Sequence, residues 1–393
     1  MPAHPSTGIG RRIAYHRSVA RLTQQQLARA ANIHVGTLRK IERGARGAGD
    51  GVLEAIAGAL GLDPSLLLAD RAQASTRLQQ AIPILSAAIA AYDLPDDGPV
   101  RPFPDLRAAV EDAVTWRLAA QYVRIARELP DMLTELFRAL QIAPAHERRD
   151  VAALVVSACR SADAVAYKLG AYDLSARLIE LMRWASPQAD DQVLNAAVAY
   201  VRTETFFAAG THDRGLRALE AAIDAAAPPD RTGTMAARGA LHMRAAVIAG
   251  RAGDAAAADT HLAEARRLGD QVPEGIYAGT AFGPSSVRIH EVSVAVSLGS
   301  DHVHRALEVA REWAPPRDLP DERRSGFYIE LGRAQLWAGL PDDAFESLKV
   351  ARRIAPQHTR DHRWVREDAA TLRRLKRADA ETLTSFAEWC NAT

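Results

Sequence analysis

Two groups of residues in this chain have the types and spacing to do chemistry. The first is a basic cluster near the start: residues 1–71 hold ten Lys/Arg against five Asp/Glu, while the rest of the chain holds 39 against 43. A local cationic excess of this kind suits the phosphates of a nucleic acid. The second group is polar residues set in otherwise apolar helical patterns: Asn195, Tyr200, Arg202 and Glu204; His242 and Arg244; Arg288 and His290; Tyr328 and Arg333. These form either a solvated wall of internal ion pairs or a ligand site.

Other chemistry is poorly supported. His302/His304 and His358/His362 have metal-like spacings, but neither pair has a third ligand at suitable spacing, and Pro356 precedes the second. Exposed loop histidines are the expectation, with no metal and no cofactor. No Walker loop, nucleophile elbow or GxGxxG is present, so an enzyme is not expected. Residues 279–286 contain two glycines and Pro284 ahead of a helical stretch. They either wrap an anion at a helix start or punctuate the chain.

The basic cluster must be positioned by short helices. Apolar Ile9, Ile13, Val19 and Leu22 lie among arginines in a first amphipathic pattern. Thr23 with Gln26 three residues later forms a capping box for a second helix, which ends near Asn32. His34 is placed to cap a third, over 35–43, which stops at Gly44. A fourth is expected over 50–60, and a fifth short turn over 66–68. Two helices of eight or nine residues joined by a tight turn make a helix-turn-helix.

The run LTQQQLARAANIHVGTLRKIERG resembles the phage-repressor (XRE, or Cro-like) family. Leu22, Thr23, Gln24, Leu27, Ala28, Ile33, Leu38, Ile41, Glu42 and Gly44 match in type. The resemblance implies that the third helix enters the major groove of duplex DNA. By position, His34, Val35, Gly36, Thr37, Arg39 and Lys40 would then face or border base edges, with Val35 suited to a thymine methyl. Gln24, Arg43 and Arg46 would hold phosphates. Val35 and Gly36 depart from the family, where polar base-readers are common.

Beyond residue 71 comes a helix over 76–91, then a Pro/Asp/Gly-rich break over 93–104. After it, Gly170, Gly210, Gly253, Gly299 and Gly339 recur every 40 to 46 residues. Each follows a long apolar helix and precedes a second helix with small residues and Leu at helical spacing. Such units cannot bury their apolar faces alone, so they stack into a curved solenoid. The pattern resembles tetratricopeptide repeats with lengthened loops, ending in a cap over 362–375 and 380–389.

The expected fold is therefore all-α, with a five-helix XRE-type helix-turn-helix domain followed by a tetratricopeptide-like α-solenoid. The expected domains are 1–71, a linker over 72–103, and a sensor and dimerisation domain over 104–393. The chain has 393 residues, 48% of them hydrophobic, enough for more than one core. Cys159 and Cys390 are far apart in sequence, which argues against a disulfide framework and fits a reducing cytoplasm. No signal peptide or membrane-spanning stretch is expected.

This domain order resembles peptide-sensing quorum receptors (the RRNPP group) and actinobacterial regulators. The resemblance implies a homodimer, a double-stranded operator with two half-sites, and a peptide or small-molecule effector in the repeats. Asn195, Arg202, Arg244, His290 and Arg333 are the candidate effector contacts. The alternative is a protein–protein interaction adaptor with secondary DNA binding.

Overall fold

The computed structural model describes residues 6–20, 22–61, 67, 71–375, 380–390 and 392. Among these residues there are twenty helices and one two-stranded hairpin. The chain divides into two compact units, Met1–Arg77 and Leu78–Thr393. No helix among the described residues is long and apolar enough to cross a membrane.

The first unit contains α1 (Ser6–Val19), α2 (Gln24–Ala30), α3 (Val35–Glu42) and α4 (Asp50–Ala59). Thr23 and Gln26 form the reciprocal capping box on α2, at 3.2 and 2.8 Å. Asn32 takes a left-handed φ of 49° in the turn, a conformation its short polar side chain tolerates. His34 Nδ1 then accepts from the Gly36 amide at 3.0 Å and caps α3. Ile13, Leu27, Leu38, Ile41, Leu53 and Ile56 form the core. The expected turn over 66–68 lies outside the described residues except for Leu67, whose side chain is fully buried. Gly10 sets the approach of α1 to α3, since a Cβ there would stand 2.1 Å from the Ile41 carbonyl oxygen.

In the second unit, the helix pairs are α6 (Phe103–Leu118) with α7 (Tyr122–Ile142), α8 (Arg148–Lys168) with α9 (Tyr172–Ala189), and α10 (Gln192–Ala209) with α11 (His212–Ala225). Then follow α12 (Thr232–Ala252) with α13 (Ala255–Gly269), α14 (Pro284–Leu298) with α15 (Val303–Glu312), and α16 (Asp321–Trp337) with α17 (Pro341–Ile354). They are preceded by α5 (Arg71–Ala90) and followed by α18 (Pro356–Asp361), α19 (Arg363–Leu375) and α20 (Ala380–Trp389). The five repeated glycines all turn with positive φ, from 64° to 101°. In the first pair Ala120 does this work at φ 55°, a strained conformation for a residue with a Cβ.

The hairpin, β1 (Gly275–Tyr277) and β2 (Thr280–Phe282), is an exception to the expected all-helical pattern. Phe282 is fully buried, and its ring lies on α12 at Gly239, where a Cβ would be 2.0 Å from the ring. Glu274 accepts from the Ser286 amide at 3.0 Å and from its hydroxyl at 2.5 Å. The start of α14 is thus met by the protein's own carboxylate.

The repeats do not end as an open curve. Gln357 Oε1 on α18 accepts from the Val123 amide on α7 at 2.9 Å. The Tyr122 hydroxyl lies 3.4 Å from Glu322 on α16. First and last pairs therefore meet, and the inner face of the curved repeats becomes a cavity.

The contact at Gly10 gives the first prediction. Gly10→Ala must push α1 from α3 and should destabilise the first unit by about 1–3 kcal/mol. Amide hydrogen exchange should accelerate in α1 to α4 and stay unchanged in α8 and α12. Unchanged exchange in α1 to α4 would contradict this packing.

Candidate functional site

Two sites emerge, one on each unit. On α3, Leu38 and Ile41 are buried, so the helix turns Arg39, Lys40 and the adjoining Arg43 toward solvent. Val35, Gly36 and Thr37 are half-buried at its start, and Arg46 is exposed beyond its end. Glu42 anchors this arrangement from behind. It accepts from Arg17 of α1 at 2.7 and 3.2 Å and from Gln24 Nε2 of α2 at 2.6 Å. Gln24 Oε1 in turn accepts from Arg39 Nε at 3.3 Å. Gln24, expected on a phosphate, is thus engaged inside the domain, and Arg39 is tethered through it. Arg43 Nε donates to the Arg39 carbonyl at 3.2 Å.

The second site is a cavity of about 210 Å³ inside the repeats, walled by the first helix of each pair. Arg117 of α6 donates to the Gly279 carbonyl at 2.8 Å. Arg160 of α8 donates to the Ala278 carbonyl at 2.7 Å and to the Thr280 hydroxyl at 2.8 Å. The hairpin turn is therefore held by two arginines of the wall. Arg244 of α12 donates to Thr203 at 2.6 Å and pairs with Glu204 at 3.4 Å, with its guanidinium over Tyr200. Arg323 of α16 donates to the Tyr200 hydroxyl at 3.2 Å.

Burial governs protonation here. Asp163 is 2% exposed, and burial together with the neighbouring Glu204 raises its pKa well above the carboxylate range. Ser175 donates to Asp163 Oδ1 at 2.6 Å. A protonated Asp163 supplies the donor that Glu204 Oε2 otherwise lacks. Burial pushes His290 down to about 3, with Arg323 adding to the effect. His358 is likewise depressed, first by burial and then by Lys168. Lys168 Nζ lies 2.9 Å from His358 Nε2, and Ser325 Oγ 2.7 Å from Nδ1. His358 is 3% exposed, contrary to the expectation of exposed loop histidines. His362 lines the same cavity.

The cavity brings together Arg244 and His290 of the five candidate effector contacts. Asn195 is exposed at the start of α10. Arg202 packs over Phe206, 5.5 Å from the ring centroid. Arg333 binds Glu367 and Asp368 at 3.1 and 3.3 Å. Sequence reasoning missed Arg117, Arg160, Asp163, Lys168 and Arg323. Arg160, Asp163 and Tyr167 stand at i, i+3 and i+7 in a helix otherwise rich in Ala and Val, a spacing that marks one polar stripe.

A helix-turn-helix DNA-binding domain followed by a unit of stacked helix pairs is the class that this fold defines. Residues 20–67 match the helix-turn-helix family. No curated protein matches the chain. Among solved structures, the chain is similar to PlcR of Bacillus thuringiensis in complex with a peptide and DNA, at 14% identity over 67% of this chain and 94% of that one, with a TM-score of 0.27. It is also similar to the apo competence regulator ComR of Streptococcus vestibularis, at 12% identity over 94% and 98% of the two chains, with a TM-score of 0.30.

His290 gives a pH prediction. Its folded pKa lies below its unfolded value, so its contribution is present above about pH 6.5 and is lost as pH falls toward 3. Relative to wild type, His290→Asn should gain up to about 1.4 kcal/mol of stability per pH unit as pH drops from 6 to about 4. Parallel stability curves in urea would mean that His290 is not held neutral.

Proposed function

We propose that this chain is a sequence-specific, DNA-binding transcriptional regulator whose repeats bind a small effector. The observation that carries the reading is the solvent face of α3. Arg39, Lys40 and Arg43 stand together on the second helix of a helix-turn-helix, with their helix fixed to α1 and α2 through Glu42. In this reading Thr37, Arg39 and Lys40 reach base edges in the major groove, and Val35 meets a thymine methyl. Arg43 and Arg46 hold phosphates. His34 and Gly36 serve by starting the helix, and Gln24 serves by holding Arg39.

A single module of this size contacts too little DNA for high specificity, so a homodimer on two half-sites about 34 Å apart follows. The repeats supply the dimer contacts and the effector site. Contact between the first and last pairs and a cavity of about 210 Å³ favour a small molecule over a peptide or a partner chain. The cavity is polar on nearly every wall, which suits a charged ligand.

Selection from random-sequence duplex DNA tests the reading and should enrich a two-fold symmetric site. On that site Lys40→Ala should cost about 1–3 kcal/mol and relax preference at one base position. Arg43→Ala should weaken all sequences alike and reduce the salt slope by about one. No enriched motif, or full affinity in Lys40→Ala, would contradict the groove placement.

A further inference from the structure

Five basic side chains face the cavity: Arg117, Arg160, Lys168, Arg244 and Arg323. Facing them are Glu204, Glu322, Glu330 and the protonated Asp163. Arg244 pairs with Glu204 at 3.4 Å and Lys168 with Glu322 at 3.8 Å. Glu330 accepts from the Ser293 hydroxyl. Among the described residues Arg117, Arg160 and Arg323 form no ion pair within 4 Å. They donate instead to backbone carbonyls and to the hydroxyls of Thr280 and Tyr200.

Positive charge out of water without a counter-charge is costly. Arg160 shows that cost: burial and the nearby Arg117 push its guanidinium down to about 9. Arg117 is 6% exposed, and its Nε has no hydrogen-bond partner. A buried donor of this kind seeks an acceptor. The open space beside these groups has room for about seven water molecules at 30 Å³ each.

We propose that the cavity binds a compact dianion, a small molecule carrying a phosphate monoester or a pair of carboxylates. This rests on the reading of the cavity as the effector site and gives that effector its chemical class. Guanidinium forks bind carboxylate and phosphate oxygens with two parallel hydrogen bonds. Two negative charges meet the cationic excess of the wall. A ligand oxygen at Arg117 Nε satisfies the donor left open there. The hydroxyls of Tyr200 and Ser293 give neutral polar groups on the same walls.

The test is thermal unfolding of the full chain with inorganic phosphate, succinate or acetate at matched ionic strength. Phosphate or succinate should raise the melting temperature saturably, and acetate should not. Arg117→Met removes the charge at nearly constant length. It should lose the response while still unfolding cooperatively, with the lost bond to the Gly279 carbonyl lowering the unliganded melting temperature at most modestly. Glu204→Gln removes a negative charge from the wall and should tighten the dianion severalfold, a gain that no folding defect produces. No response to phosphate or succinate would overturn the proposal, as would an equal response to acetate. A response retained in Arg117→Met would place the anion away from Arg117 and overturn it too. Binding of selected duplex DNA, followed in parallel, separates the two readings. Intact DNA binding without a dianion response sinks this inference alone, whereas loss of selective DNA binding sinks the regulator reading.

Discussion

A charge taken out of water must meet an opposite charge, a hydrogen bond or a change of protonation, and the interior of the repeats is organised around that constraint. Stacked helix pairs bury their apolar faces against neighbours, but their first helices here carry Arg160, Asp163, Arg244, Glu322 and Arg323 inward. Each solution to that burial is visible. Arg244 takes a carboxylate and an aromatic face. Arg117 and Arg160 take the backbone carbonyls of the hairpin turn. Burial raises the Asp163 pKa well above the carboxylate range and lowers those of His290 and His358. The bond from Val123 to Gln357 joins the first and last parts of the repeats.

The same constraint works on a smaller scale in the first unit. Glu42 is nearly buried, with Arg17 and Gln24 on its two oxygens. That one carboxylate ties three helices together at the end of α3. It leaves the basic face of α3 outside, with Arg39, Lys40 and Arg43 exposed. A rigid back and an exposed cationic front are what the proposed groove-reading role requires.

Much of the fold was legible because its signals are local. The capping box at Thr23, the left-handed Asn32, the His34 cap and the five repeated glycines each act within four residues of their effect. The first helix pair was harder to see because Ala120 turns where the others use glycine. Closure of the repeats was illegible, since Val123 and Gln357 are separated by 234 positions. Residues 279–286 suggested an anion loop or a helix start; they form β2 and the start of α14, and the anion there is Glu274. In the cavity, Arg244 and His290 stood out as polar residues on apolar helices. Arg117 and Arg323 did not, because a charged residue near a helix end ordinarily reads as exposed.

The cavity wall carries an excess of two positive charges only if Asp163 holds a proton at neutral pH. Infrared difference spectroscopy between wild type and Asp163→Asn measures this directly. The account predicts a protonated carboxyl C=O band at pH 7 in wild type that is absent from the variant. A carboxylate band at that pH in its place would show Asp163 ionised, and the excess of two positive charges that points to a dianionic ligand would fail.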